Sequence, residues 1–148
     1  MKDRTKTRSK LRRGAAREDG AAAVEFALIV GLLAMLVFGM MEYGLALWQI
    51  QSLRAATREG ARVAAVRGSS ADISVAMSDA SAGGLPGGFS GFSVSPAGCT
   101  DDTVGESVTV RINNAALSSS VKDTLAIDIP LLPAITLNPT LEGSFRCE

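Results

Sequence analysis

The residue types that carry most enzymatic chemistry are scarce in this sequence of 148 residues. It contains no histidine, and its two cysteines, Cys99 and Cys147, cannot build a four-cysteine metal site. Because histidine is the commonest general base and metal ligand, Ser-His-Asp and Cys-His catalysis and most zinc sites are excluded. The phosphate-binding patterns GxxxxGK[ST] and GxGxxG are also absent from the sequence. We therefore expect no enzyme, no cofactor, no metal and no small-molecule substrate.

One carboxylate lies at the start of a long uncharged run. Glu25 precedes FALIVGLLAMLVFGMM, which extends from Phe26 to Met41. A carboxylate at the centre of a bilayer costs about 2.5–3.5 kcal/mol, but much less near the headgroups. In a first helical turn, an acidic side chain is stabilised by about 0.3–1 kcal/mol through the helix dipole. Glu25 therefore has either this local electrostatic role or a functional one.

The apolar run predicts a membrane-spanning helix at about residues 24–48. The 16 residues of the run cover only about 24 Å of a hydrocarbon layer about 30 Å thick, so the span must extend toward Trp48. Tyr43 and Trp48 lie at its far end, where aromatic rings favour the interface. Residues 1–20 carry eight basic and three acidic side chains, a net charge of +5. The positive-inside bias therefore predicts a cytoplasmic leader and an exported remainder.

Two other roles for the N-terminal region fit less well. A cleavable secretory signal has an apolar region of about 7–15 residues, and the run here is longer. A nucleic-acid-binding arm would be expected to interleave aromatic residues with its basic ones, and residues 1–20 contain no aromatic side chain. We therefore expect membrane lipid and no nucleic acid as partners of this region.

The helical pattern continues beyond the predicted span. The segment RAATREGARVAAVRG contains no proline and spaces its arginines along one helix face, at Arg54, Arg58 and Arg62. One helix is therefore predicted over residues 21–67, with Gly68 as its stop. Residues 68–148 form the predicted exported head.

The head has the pattern of a small α+β domain. Ser69 to Asp72 can cap a short helix that ends before the Gly/Pro cluster at residues 83–88. Alternating apolar residues then predict a β-hairpin, and later segments add a third and a fourth antiparallel strand. The segments in question are 89–94, 108–112, 125–129 and 141–146, with a break at Ser118 to Ser120.

Both cysteines fall in this head. In an oxidising compartment, a disulfide between Cys99 and Cys147 would stabilise the head by about 3–4 kcal/mol. Two free thiols are the alternative.

Small residues recur every four positions along the apolar helix. Ala23, Ala27 and Gly31 follow this spacing, Met35 interrupts it, and Gly39 resumes it. Small side chains let another helix approach closely in a membrane. The pattern predicts a helix-packing surface, although small residues are also common in membrane helices generally.

Several short motifs resemble one known family when they are taken together. The block GAAAVEFAL, the uncharged run, then EYG and REGAR resemble the TadE-like family of tight-adherence (Tad/Flp) pilus systems. The motifs occupy residues 20–28, 42–44 and 58–62. The resemblance covers roughly residues 17–67 and implies a type IV pilin-like fold for the long helix.

The resemblance also implies processing. In such precursors a membrane prepilin peptidase removes a basic leader by cutting after glycine, here between Gly20 and Ala21. The recognition pattern places glutamate fifth after the cut, followed by an aromatic residue, which here are Glu25 and Phe26. Tyrosine is commoner than phenylalanine at that position in related Flp pilins. The new ammonium on Ala21 would be neutralised by Glu25 of a neighbouring subunit.

The function implied is that of a minor pilin or pseudopilin, a structural component of a Tad-type pilus or secretion assembly. Its expected partners are the peptidase, other pilin-like subunits and the assembly machinery. Its expected location is the bacterial inner membrane, with the N-terminus cytoplasmic and the head periplasmic. The alternative is an unprocessed single-pass anchor whose exported domain binds a partner in the envelope.

Overall fold

The structure is a computed structural model that describes the backbone of residues 6–128 and 133–148, with side chains described from residue 20 onward. The first residues of the predicted leader and Ile129, in a segment predicted to be extended, lie outside this description. The chain forms two compact units, residues 1–40 and 41–148. It is an α+β protein in which a long N-terminal helix precedes a small domain of short helices and antiparallel strands.

Helix α1 extends from Lys6 to Ala65. It begins earlier than the predicted Ala21, because the preceding residues are mostly alanine, arginine and lysine, which favour helix, and include no proline. At its other end, Arg67 adopts a left-handed φ of 64°. The amide of Gly68 then donates to the carbonyl of Val63 at 2.9 Å. This left-handed turn at Arg67 closes the helix directly before Gly68, the predicted stop.

Helix α2 extends from Ser70 to Ala80 and begins with a capping box. The Asp72 amide donates to Ser69 Oγ at 3.2 Å, and the Ser69 amide donates to Asp72 Oδ2 at 3.0 Å. The pKa of Asp72 is lowered from its ordinary value of 3.8, mainly by the hydrogen bond from the Ser69 hydroxyl. The hydrogen bond from the Ser69 backbone amide lowers this pKa further. The exposed end of this helix is thus satisfied by two neighbouring side chains, as predicted for Ser69 to Asp72.

A three-stranded antiparallel sheet forms the centre of the head, in the order β1-β2-β5. The strands are β1 (Phe92–Ser95), β2 (Ser107–Ile112) and β5 (Glu142–Arg146). Phe92 pairs with Ile112, and Val110 pairs with Gly143. The predicted hairpin is therefore formed by β1 and β2. The second partner of β2 is β5, which lies near the C-terminal end of the chain.

The segment between β2 and β5 differs from prediction. Ser118 to Ser120, predicted as a break, instead begins helix α3 at Ser119–Leu125, with Ser118 at the N-cap position. Serine favours both loops and helix starts, so a run of three was ambiguous. The helix buries Val121 and Leu125, one turn apart. Strands β3 (Ala126–Ile127) and β4 (Ile135–Thr136) then form a separate two-stranded antiparallel pair.

The core of the head forms on one face of the distal part of α1. Leu53, Ala56 and Ala64 on α1 are buried in the same cluster as Met77 of α2 and Val110 of β2. Small residues at this interface let the other elements come close to α1. The clearest case is β5, where Gly143 lies against the backbone of Thr57.

A disulfide bond closes the head. Cys99 and Cys147 are bonded, with their Cα atoms 5.5 Å apart and 48 positions apart in sequence. The bond joins the loop that follows β1 to the C-terminal end of β5. Both cysteines are buried in the core cluster.

Candidate functional site

The predicted processing residues lie on the exposed surface of α1. Gly20, Ala21, Glu25 and Phe26 are all exposed, and Phe26 has 68% of its surface accessible. Because Glu25 is four residues after Ala21, it lies about one turn, or about 6 Å, further along the same side of the helix. The Gly20–Ala21 peptide bond itself is inside α1 rather than in a loop. Cleavage at this bond therefore requires local opening of the helix.

The helix that follows presents apolar side chains in every direction. An 18-residue window reaches a mean hydropathy of 2.5, and none of it is buried. The exposed set includes Val24, Leu28, Ile29, Leu32, Leu33, Leu36, Val37, Phe38 and Met40. A core helix of a soluble domain would instead bury one face. This helix fits a single-pass membrane protein in its length, composition and exposure.

Further along α1, the side facing the head is buried. Ala46 is fully buried, and Gln49 and Ile50 are 5% and 7% exposed. These residues fall within the predicted span at residues 24–48 or just after it, but the head covers one side of the helix there. Residues 20–41, by contrast, are exposed or half-exposed throughout. At 1.5 Å per residue, they extend about 33 Å.

Two aromatic side chains on this second part of the helix remain exposed. Tyr43 and Trp48 are 53% and 55% exposed. They follow the residue 20–41 segment directly, within about 10 Å along the helix axis. Their positions are those expected of rings at a membrane–water interface.

Glu42 has a contact that the sequence did not reveal. It interrupts the apolar residues between Phe26 and Leu53, and its carboxylate Oε2 accepts a hydrogen bond from the Asp128 amide at 3.1 Å. This contact joins α1 to the end of β3. The sequence signal for this contact was a single charged residue in an apolar run, because such a charge usually has a specific partner.

The small residues predicted to form one packing surface wind around the helix. Successive residues are rotated by 100°, so each four-residue step adds about 40°. Ala23, Ala27 and Gly31 span about 80° and share a side, whereas Gly39 is rotated by about 160° from Ala23. Residues spaced four apart form a ridge, and such a ridge packs against a neighbouring helix at a crossing angle of about −40° to −50°. Only the first three residues can contact one such neighbour at a single crossing point.

The arginines on the part of α1 that belongs to the head lie on its solvent side. Arg54, Arg58 and Arg62 are exposed, and Arg62 Nε donates to Glu59 at 3.0 Å. Within residues 20–128 and 133–148, no three histidine, cysteine, aspartate or glutamate side chains lie close enough together to hold a metal ion.

A long apolar helix followed by a small α+β head thus describes the class of protein. Residues 20–62 match the family model described as TadE-like protein. The match begins at Gly20 and ends at Arg62, so it contains Glu25, Phe26 and Glu42 and lies entirely on α1. No curated protein and no solved structure matches the chain. The family match confirms the resemblance over these residues and supports a protein associated with a Tad pilus.

Proposed function

We propose that this protein is a minor pilin or pseudopilin-like subunit of a Tad-type pilus or secretion assembly. The observation that carries the proposal is the composition of α1 after Gly20. Residues 20–41 contain one charged side chain, Glu25, in an otherwise apolar and exposed helix. That carboxylate lies one turn after the residue that would become the N-terminus.

Processing would change the charge of this segment in two ways. Hydrolysis of the Gly20–Ala21 bond by a membrane prepilin peptidase adds water, leaving a carboxylate on Gly20 and an ammonium on Ala21. The departing leader removes its net charge of +5, which would otherwise hold the helix start at the cytoplasmic face. The new ammonium is then the only cation near the start of the apolar segment. Glu25 of a neighbouring subunit can neutralise it as both groups leave water.

Gly20 also suits the opening of the helix that cleavage requires. A glycine inside a helix destabilises it by about 1 kcal/mol relative to alanine. In the described part of the chain, nothing lies within 4 Å of the position where a Gly20 Cβ would be. An added Cβ would therefore meet no neighbouring side chain among the described residues, so a block in processing would arise at the peptidase.

Burial supports a membrane span that ends earlier than the predicted residue 48. We place it at residues 20–41, whose length of about 33 Å matches a hydrocarbon layer of about 30 Å. Tyr43 and Trp48 then lie at the outer headgroups, on the stretch of α1 along which the head packs. The leader stays cytoplasmic and the head is periplasmic, attached to the inner membrane. Lipid, the peptidase, other pilin-like subunits and the assembly machinery are its partners.

Orientation can be tested with protease. In spheroplasts, added protease is expected to digest the head, whereas in inverted inner-membrane vesicles the head is expected to stay intact. The opposite pattern would contradict the proposed topology.

Processing is tested by the N-terminal mass of the protein extracted from membranes. We expect a wild-type chain that begins at Ala21. Gly20→Val should leave the full-length precursor, because a β-branched side chain would stand at the scissile bond. Gly44→Val is the matched control, since Gly44 is also in open space on the same helix and is distant from the cut. If Gly20→Val is processed as fully as Gly44→Val, Gly20 does not define the cleavage site.

Assembly is tested separately with Glu25→Ala. This variant should insert into the membrane, since removing a carboxylate from an apolar helix makes insertion easier. It should fail to cross-link to other pilin-like subunits, because the Ala21 ammonium has no partner. Glu25→Asp keeps the charge on a shorter side chain and should retain part of the cross-linking. Normal incorporation of Glu25→Ala would refute charge pairing.

A second candidate function is a permanent single-pass anchor whose exported domain binds an envelope partner. The observation in its favour is the continuity of α1 across residues 20 and 21, which leaves that bond helical. Under this reading the extracted wild-type protein keeps residues 1–20, and the same mass measurement separates the two functions.

A further inference from the structure

The two-stranded sheet of β3 and β4 is held at the part of α1 where the proposed membrane span ends. The Asp128 amide, directly after β3, donates to Glu42 Oε2 at 3.1 Å. Glu42 is the residue of α1 that follows the exposed apolar segment 20–41. The hydrogen bond therefore fixes the end of β3 beside the first residue after the proposed span.

Strand β4 and the residues before it are apolar and exposed. Ile135 pairs with Ile127 of β3, so the Cα atoms of the two residues are about 5 Å apart. The Ile135 side chain is 56% exposed, and Pro133 and Ala134 are exposed as well. The sequence has no charged side chain between Pro133 and Leu141. This strand therefore presents apolar surface close to the end of the span.

The exposed surface of β4 is continuous with an apolar side chain on α1. Leu45 of α1 is 52% exposed, and it lines one groove together with Glu42 and Ala126 of β3. Ala126 in turn pairs with Thr136, the residue after Ile135. Apolar surface thus extends from α1 across β3 to β4. We call this surface the β3–β4 patch, and its members are Leu45, Ala126, Pro133, Ala134 and Ile135.

Polar groups beside the patch limit how deep it can lie in a membrane. Asp123 and Asp128 are exposed and line the same groove as Leu45. Carboxylates are costly at the centre of a bilayer but much less so among the headgroups. Among the described residues, β4 pairs with β3 alone, so its other edge also needs water for its backbone groups. Both features favour a shallow position.

A shallow position is sufficient for apolar side chains to meet lipid. An amphipathic helix on a membrane surface buries its apolar face about 5–10 Å deep, at the boundary between headgroups and acyl chains. The β3–β4 patch can reach the same boundary while Asp123 and Asp128 stay in the hydrated headgroup layer.

We propose that the β3–β4 patch is a second lipid contact of the protein, on the periplasmic leaflet of the membrane that α1 crosses. The inference rests on the proposed function for the end of the span and the export of the head, but not on cleavage at Gly20 or on assembly. Lipid is the occupant because the patch adjoins the part of α1 whose apolar side chains are exposed on every side. A second contact of this kind fixes the angle between the head and the membrane surface.

Lipid contact can be measured by quenching of tryptophan fluorescence with brominated phosphatidylcholine, which requires near contact between the ring and bromine. The full chain is placed in nanodiscs with a single chain per disc, so that no second copy can cover the patch. Trp48 is the only tryptophan of the wild type and reports on the proposed interface. The double variant Trp48→Phe/Ile135→Trp moves this reporter to the patch.

The matched control is the double variant Trp48→Phe/Val104→Trp. Val104 and Ile135 are both 56% exposed. The residue after Val104 donates its amide to the Cys147 carbonyl at 3.0 Å, and the residue after Cys147 donates to the Ala65 carbonyl at 3.2 Å. Ala65 is about 35 Å further along α1 than Glu42. The control therefore places an equally exposed tryptophan at the end of the head that is distant from the proposed span.

We expect the Ile135→Trp variant to lose as much fluorescence as wild-type Trp48, and the Val104→Trp variant to keep its fluorescence. Bromine near the headgroup end of the acyl chain should quench the Ile135→Trp variant more than bromine near the methyl end. The opposite depth order would contradict a contact at the headgroup boundary. If Trp48 is quenched but Ile135→Trp is quenched no more than Val104→Trp, the patch does not touch lipid and only this inference is wrong. If Trp48 itself is not quenched, the proposed end of the span is wrong and the inference falls with it.

Tryptophan itself favours membrane interfaces, so a second measurement uses the wild-type patch. A phospholipid with a photoactivatable diazirine near the headgroup end of its acyl chain is added to the same nanodiscs. After irradiation, reduction and trypsin digestion, the fragment from Asp123 to Arg146 should carry lipid, and the fragment from Gly68 to Arg111 should not. Ile135→Asp should lower the labelling of the first fragment. Equal labelling of the two fragments, or labelling of Ile135→Asp at the wild-type level, would overturn the proposal.

Discussion

The close contact between β5 and α1 provides a sharp test of how the head is packed. Gly143 is buried on β5, opposite Val110 of β2. A Cβ atom at this position would lie 2.5 Å from the carbonyl carbon of Thr57 and 2.7 Å from the amide nitrogen of Arg58. Carbon atoms in contact are normally about 3.5–4.0 Å apart. Both obstructing atoms belong to the α1 backbone, so no side-chain rotation can relieve the overlap.

The size of the effect follows from this geometry. Overpacking a core usually costs about 1–3 kcal/mol. Because helix and strand backbones would have to separate here, we expect Gly143→Ala to destabilise the head by about 3 kcal/mol, at the upper end of that range. For a unit of this size, the loss lowers the midpoint of thermal unfolding by roughly 10–20 °C.

The matched control is Gly87→Ala. Gly87 is exposed, and in the described part of the chain nothing lies within 4 Å of the position of its Cβ. Both substitutions reduce the entropy of the unfolded chain similarly, which favours folding by about 0.4–1 kcal/mol. The difference between the two variants therefore isolates the contact with α1.

Unfolding of the full chain in nanodiscs can be followed by fluorescence of Trp48. This side chain lies beside Gly83, Gly84 and α3, so its surroundings change when the head unfolds. The reasoning is refuted if Gly143→Ala unfolds at the same denaturant concentration as Gly87→Ala. Such a result would mean that β5 does not lie against α1 as described.

Three further predictions concern the head. Cys147→Ser, or reduction of the Cys99–Cys147 bond, should lower the free energy of unfolding by about 4 kcal/mol, because the bond closes a loop of 48 residues. Equal unfolding midpoints with and without reductant would contradict this prediction. Ser69→Ala should cost about 1 kcal/mol through loss of the N-cap, measured by the same unfolding assay. Since the pKa of Asp72 is lowered in the folded head, its stabilising contribution is complete above the ordinary pKa of 3.8 and is lost as pH falls through the folded value. The wild type should therefore lose more stability than Asp72→Asn on acidification below about pH 4, and parallel pH profiles would show that the capping carboxylate contributes nothing.

Features that depend on neighbouring residues were predicted well from the sequence. The capping of α2 by Ser69 and Asp72 uses residues three positions apart, and the β1–β2 hairpin joins consecutive segments. Helix α3 was missed because seven residues give too short a pattern to distinguish a helix from a loop that starts with serines. The contact of Glu42 with Asp128 spans 86 positions, so no local pattern reveals it.

The sequence by itself determined that the chain carries an apolar helix with a basic leader before it, a glutamate at its start and motifs of the TadE-like family. These features are expressed in residue types along one continuous segment, so hydropathy and spacing are sufficient to read them. Tertiary structure alone decided where the exposed apolar helix ends and the head begins. Apolar residues before Met41 and buried ones such as Ala46 and Ile50 have the same hydropathy, because lipid and a protein core both favour the removal of apolar surface from water. Only the packing of the head against α1 distinguishes the two surroundings.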